Sequence, residues 1–343
     1  MIMKNPHIHN QIEIKQKRRT TLTFLVSVCF LFVAIYLNLS IGSSSITFND
    51  FWQYFTNGAQ NKSTFLIHNV RMPRMLAGIC IGASLAVAGV LMQALTRNPL
   101  ASPQIFGVNA SASFVVVLIS TLLPSLATGK VLFAFIGAFL GGLAVYLLSD
   151  TTKGMTPIKL ALAGMTIHLF FSSLTQGIIL LNEDATFDIM FWLVGSLYTI
   201  KWPALLSVLP WMAIALIFTL LFSRQITILE LGDQLSRGLG QNTKVIRIII
   251  GILVVILAGT SVSIAGPIGF IGLIVPHIVK YYVSHNYFTI ISLSMVMGAD
   301  LLLISDVLSR LIAFPFESPV GIVTSFIGAL YFLGITMRGV KQK

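Results

Sequence analysis

Apolar residues in this chain come in long blocks separated by short polar or proline-bearing breaks. Ten blocks stand out, at about 21–41, 71–95, 104–123, 130–149, 157–181, 201–222, 242–264, 270–283, 287–309 and 318–337. Most are near the roughly twenty residues that cross about 30 Å of hydrocarbon at about 1.5 Å per residue. The pattern predicts an all-α, polytopic membrane protein with ten transmembrane helices. The eighth block is short, so it is expected to join the preceding Gly266-Pro267 segment or to be shielded inside the protein. A polar, Ser/Asn-rich stretch at about 42–70 separates the first two blocks, and residues 48–55 within it predict a short amphipathic helix. The expected layout is a cytoplasmic segment at 1–20, one transmembrane domain at 21–337 and a cytoplasmic tail at 338–343.

Composition strengthens this reading. The 343 residues are 56% hydrophobic and only 10% charged, against about 25% charged in a soluble domain. Cys29 and Cys80 both fall inside apolar blocks, so neither a disulfide nor a metal framework is expected. The first block is long and lacks an A-x-A-like cleavage site, so it reads as a retained span. The net charge of +11 does not call for nucleic acid, because it follows the positive-inside rule. With the N-terminus in the cytoplasm, alternation leaves Lys62, Arg71, Arg74, Lys130, Lys201 and Arg310 outside. The rest of the 22 basic residues fall inside, and both termini are cytoplasmic.

A few polar constellations interrupt the blocks. The turn from Asn98 and Pro99 to Pro103 follows the second block, whose far end carries Arg71 and Arg74. Proline lacks a backbone donor and disfavours helix just before it. Such backbone at membrane depth needs protein or water around it, so this turn reads as packed beside a pathway. Gly266, Pro267, Gly269, Gly272 and Pro276 form a second broken stretch that permits close helix approach. The inner segment from Leu229 to Gly240 offers Leu229, Leu231, Leu235 and Leu239 as an apolar face, with Gly232, Gly238 and Gly240 marking turns. It is too short to span and too short to be stable alone. It lies either on the bilayer or in a partner's groove. Arg71, Arg74 and Arg310 sit on the outer side, where arginine is scarce, and read as a basic rim for carboxylates of a partner. Asp300 and Asp306 fall within the ninth block; Asp306 and Arg310 are four apart and able to pair. No phosphate-binding G-x-x-x-x-G-K-[ST], H-E-x-x-H, paired-Cys or nucleophile-elbow motif occurs, so no catalytic residue is expected.

Taken in order, Arg71-x-Pro73-Arg74, Gly89-x-x-x-Gln93, Asn98-Pro99-Leu100-Ala101-x-Pro103, Leu162-Ala163-Gly164, Leu231-Gly232-Asp233, Gly266-Pro267 through Pro276-His277, Gly298-Ala299-Asp300 and Pro319-Val320-Gly321 resemble one known family. It is the FecCD-type permease family of bacterial ABC importers for iron–siderophore, haem and cobalamin. The resemblance covers nearly the whole chain. It implies the type II ABC importer permease fold, with ten helices per subunit and two permease subunits, identical or related, around a pathway in the plasma membrane. It also implies two cytoplasmic ATPase subunits that hold ATP and Mg, and an external substrate-binding protein. No cofactor or metal is expected on this chain itself, only membrane lipid around it.

By the same resemblance, Leu229, Leu231, Gly232, Asp233, Arg237, Gly238 and Gly240 fall in the coupling segment that docks on the ATPase. Arg71, Arg74 and Arg310 match pockets for glutamates of the binding protein. Gln93, Asn98, Pro99, Gly266 and Pro267 fall along the pathway, and Thr156, Pro157 and Ile158 lie at the cytoplasmic gate. Pro157 and Ile158 depart from the small hydroxyl residues of the cobalamin importer's gate. That departure makes cobalamin less expected, and the family's frequency of cargoes implies an iron(III)–siderophore first, then haem, then cobalamin. A secondary transporter driven by protons or sodium is the rival; it would depend on Asp300 or Asp306 and would not need the 229–240 segment.

Overall fold

Each of the ten apolar blocks becomes a helix, and the described parts of the polar breaks are turns, coil or short helices. The computed structural model describes residues 6–42, 46–58, 61–149, 156–182, 187–283 and 286–340. Among the described residues every regular element is helical. The long α1 (Pro6–Ser40) is followed by α2 (Phe48–Asn57). Then α3 (Lys62–Leu66) passes through one π-helical turn, Ile67–Arg71, into α4 (Met72–Thr96). After a 3₁₀ turn at Pro103–Phe106 come α5 (Val108–Leu122), α6 (Lys130–Ser149), α7 (Pro157–Leu181), α8 (Phe187–Leu193) and α9 (Trp202–Leu221). The short α10 (Ser223–Glu230) and α11 (Asp233–Gly238) precede α12 (Thr243–Ala265), α13 (Ile271–Tyr282), α14 (Tyr287–Ile312) and α15 (Val320–Val340).

Among the described residues eight helical stretches are long and apolar enough to cross a membrane. The two blocks outside that set fold as α5, of 15 residues, and α13, of 12. Both are shortened by backbone breaks the sequence contains. A 3₁₀ turn at Pro103–Phe106 and left-handed Gly107 take up the start of the α5 block. The non-helical stretch from Gly266 delays α13 until Ile271. The amphipathic segment in the 42–70 loop folds as α2. The Thr47 hydroxyl and backbone N–H donate to Asp50 Oδ2 at 2.7 and 2.8 Å. Those bonds hold the Asp50 carboxyl below its ordinary value, because they favour its ionised form.

The bundle is built around α4, which is mostly buried and packs most extensively against α14, and also against α12 and α13. Lipid tails supply no hydrophobic drive for helix association, so close backbone packing has to supply the contact. Gly82 of α4 and Gly298 of α14 face each other so tightly that a Cβ on either would lie 2.3 Å from the other's carbonyl oxygen. A Cβ on Gly89 would lie 1.9 Å from the Gly272 carbonyl. Hydroxyls inside the helices bond back to their own backbone, as Thr96 does to the Met92 carbonyl and Ser261 to the Leu257 carbonyl, both at 2.7 Å. At one end, Gly195, Gly266 and Gly321 tie three connections together. Ser196 N–H donates to the Ala265 carbonyl at 2.8 Å, and Gly321 N–H to the Gly195 carbonyl at 3.0 Å. Gly266 has φ 69° and sits against the Trp192 carbonyl, so only glycine fits.

The outward faces of α7 and α15 stay apolar. Leu169, Phe170 and Leu180 on α7, and Phe326, Leu330 and Leu333 on α15, are all exposed. Such helices need lipid or another subunit against them.

Candidate functional site

Chemistry collects at the two ends of α4. Arg74 in its first turn and Arg97 at its C-cap are about 35 Å apart at about 1.5 Å per residue.

At the Arg74 end, α1, α4 and α14 converge on one buried carboxylate. Asp306 is fully buried. Arg74 Nε donates to both its oxygens at 3.1 Å, and Arg74 Nη2 to Oδ1 at 2.8 Å. Arg310 Nη2 also donates to Asp306, one turn away on the same helix. The Asn38 amide of α1 donates to Asp306 Oδ2 at 2.9 Å, and its Oδ1 accepts from Arg310 at 2.9 Å. Arg310 Nη1 reaches the Asn38 and Ile41 carbonyls at 2.9 and 2.7 Å. Arg71 donates to the Leu39 carbonyl and, at 2.8 Å, to that of Ser40. Glu317, on the connection between α14 and α15, accepts from Arg74 Nη1 at 2.5 Å. Burying charge is tolerated only when it is paired and hydrogen-bonded, and this network supplies both.

The Asp306–Arg310 pair is as the four-residue spacing predicts. Arg71, Arg74 and Arg310, expected as a basic rim, lie together in this cluster and are 6%, 4% and 5% exposed. They do not stand out as an open rim, because Asp306 and the α1 carbonyls hold them inward. Asn38 and Glu317 escaped the sequence reading. Glu317 sits two residues before the Pro319-Val320-Gly321 motif, and Asn38 is a polar residue in the first apolar block, a combination that marks a buried partner.

At the other end, α10 and α11 form a bent pair broken at Gly232, whose φ of 109° only glycine adopts readily. Ser236 Oγ donates to the Ile228 and Gly232 carbonyls, both at 2.7 Å, and clamps the bend. Leu231, Leu235 and Leu239 are exposed, as are Arg237, Gly238 and Gly240. Leu229 is corrected: it is 1% exposed and belongs to the core, because α10 packs it against α4 and α14 rather than outward. Asp233 is the anchor. It accepts from Arg97 at 2.5 Å and from Arg247 of α12 at 2.8 and 2.9 Å. Arg97 also donates to the Leu229 carbonyl at 3.2 Å. One side chain thus ties the short helices to both α4 and α12. Arg97 and Arg247 were missed as partners; the signal was a base near one end of each of the two most buried apolar helices.

The pathway residues divide. Gln93 is 2% exposed, its amide donating to the Leu273 carbonyl at 3.4 Å, so it packs between α4 and α13. Gly266 is buried, with Pro267 beside it against Gly195. The turn at Asn98 and Pro99 is corrected: both are exposed rather than packed in, beside the α11 end. Asn98 Oδ1 accepts from Leu100 N–H at 2.9 Å, an Asx turn that satisfies the break locally. Thr156 caps α7, accepting from Lys159 N–H at 3.4 Å; Pro157 is its first residue, and Ile158 is exposed. Asp300 is buried and lines a cavity of about 320 Å³ with Ser27 and Tyr331; its Oδ1 has no hydrogen bond among the described residues.

Comparison with known proteins gives one consistent answer. The FecCD transport family matches residues 30–338. The chain is 47% identical over 330 residues to the Fe(3+)-citrate import system permease protein YfmD of Bacillus subtilis (strain 168), covering 95% of this chain and 98% of that one. It is 39% identical over 332 residues to the iron(3+)-hydroxamate import system permease protein FhuB of the same organism, covering 95% and 86%. Among solved structures, a metal-chelate type ABC transporter in an inward-facing conformation overlays with a TM-score of 0.80 at 27% identity, covering 93% of this chain and 99% of that chain. The chain therefore belongs to the FecCD transport family and is a multi-pass ABC-type permease of the bacterial cell membrane.

Proposed function

We propose that this chain is one permease subunit of an ATP-driven importer that moves a ferric chelate of the citrate or siderophore class into the cytoplasm. Two permeases, identical or related, form the conduit, with α5 and α13 completing ten crossings inside it. The Arg74 end faces outward and the α11 end faces the cytoplasm. An external binding protein delivers the chelate by placing carboxylates at the arginine cluster. Two cytoplasmic ATPases bind ATP and Mg, and this chain catalyses nothing itself.

One observation carries this reading. An exposed leucine face on and around α11 is fixed by Asp233 to the two most buried helices. Leu231, Leu235 and Leu239 supply apolar surface for a groove on the ATPase. A push on α11 reaches α4 through Arg97 and α12 through Arg247. Charge-assisted bonds of this kind are stiff and directional, so the two helices move with the nucleotide state. Gly238 and Gly240 have open space around them, which leaves room for a partner's surface.

The test changes the docking face without touching the anchor. Leu235→Asp with Leu239→Asp should abolish co-purification with the ATPase while leaving the permease folded and membrane-inserted. Retention of the ATPase by this variant, with full uptake, would contradict the coupling assignment.

A further inference from the structure

We propose that Glu317 is a built-in placeholder: its carboxylate occupies Arg74 until an acidic side chain of the external binding protein displaces it. This rests on the docking reading given above.

The two carboxylates at the arginine cluster are held very differently. Asp306 is fully buried and accepts from Arg74, Arg310 and Asn38. Removing it would strand two buried guanidiniums, so it is a permanent member. Among the described residues Glu317 has one hydrogen bond, to Arg74 Nη1, and its side chain is 24% exposed. It sits on the non-helical connection between Ile312 and Val320, outside the helix that carries Asp306 and Arg310. Its charge also acts on Arg71 and Arg310. It is therefore the carboxylate that can leave.

A second observation shows unused capacity beside it. Arg310 is 5% exposed, and its Nε has no hydrogen-bond partner among the described residues. Arg310 and Glu317 line a small cavity of about 90 Å³ with Ile41, Gly42, Phe314 and Phe316. A buried donor left without a partner is unfavourable, and an incoming carboxylate would satisfy it. Three guanidiniums face two carboxylates here, so the named groups sum to +1 and favour an anion. Phe314 and Phe316 are 65% and 79% exposed and flank the opening with apolar surface. The chemistry that fits is a carboxylate on an otherwise apolar protein surface.

Exchange of one carboxylate for another keeps the arginines paired throughout. It also lowers the net affinity, because the incoming group gains only its difference from Glu317. A binding protein that must leave after delivering its cargo needs that reversibility.

The test is docking of the purified binding protein to the complete transporter in lipid nanodiscs, followed by surface plasmon resonance at low and high salt. Glu317→Gln should tighten Kd about tenfold, equivalent to about 1.4 kcal/mol, mostly through slower dissociation. Glu317→Asp should stay near the wild type, since it keeps the charge. Arg71→Gln should weaken docking and flatten its salt dependence. If Arg71→Gln weakens docking but Glu317→Gln leaves it unchanged or weaker, Glu317 only positions Arg74 and the placeholder is wrong. If neither variant alters docking, the arginine cluster is not the docking site and both readings fall.

Discussion

Asp306 decides the residue scale. It is the shared acceptor for two buried arginines and for Asn38. Asp306→Asn should therefore destabilise the folded chain by about 3–5 kcal/mol, as expected when one partner of a buried charge network is removed. Thermal unfolding in detergent should show a clearly lowered transition. Glu317→Gln, at a partly exposed site, should cost no more than about 1 kcal/mol. Equal losses in the two variants would mean the burial argument is wrong. This site was half legible in the sequence. The i,i+4 spacing exposed the Asp306–Arg310 pair, and the scarcity of outer arginines exposed Arg71 and Arg74. Their burial was not legible, because Arg74 and Asp306 are 232 positions apart and only the packing of α4 on α14 joins them.

At the scale of the element, long apolar blocks forecast helices well, and glycine decides how closely they meet. Gly89→Ala puts a Cβ where the Gly272 carbonyl already sits. Overpacking of this kind costs about 1–3 kcal/mol, and the substitution should part α4 from α13 and slow transport. Gly177→Ala on α7, where a Cβ meets nothing within 4 Å, should be tolerated. A thermal-stability comparison of the two variants checks the claim, and equal stability would sink it. The short helices were harder to read. Leu229 and Leu231 look equivalent in an apolar pattern, yet the break at Gly232 turns Leu231 outward and leaves Leu229 in the core. The Asn98–Pro99 turn misled for a related reason: its Asx bond satisfies the backbone locally, so it needs no surrounding protein.

On the scale of the whole molecule, the arrangement is a buried axis of α4 and α12 with a charged cluster at each end of α4. The apolar outer faces of α7 and α15 are exposed and need lipid or another subunit against them. Membrane character and the all-helical architecture were accessible from composition and block length. What composition could not supply was the mechanical link, because the Arg97–Asp233–Arg247 strut joins residues from three separate segments. On the proposed function, that link is where force from a cytoplasmic partner enters the chain.

The most direct measurement is uptake of ⁵⁵Fe(3+)-citrate, or of the chelate its binding protein retains, into proteoliposomes holding the complete transporter. Uptake should require ATP, stop with a hydrolysis-dead ATPase and continue when an ionophore collapses the ion gradients. Uptake that persists with the dead ATPase and disappears with the ionophore would contradict the account.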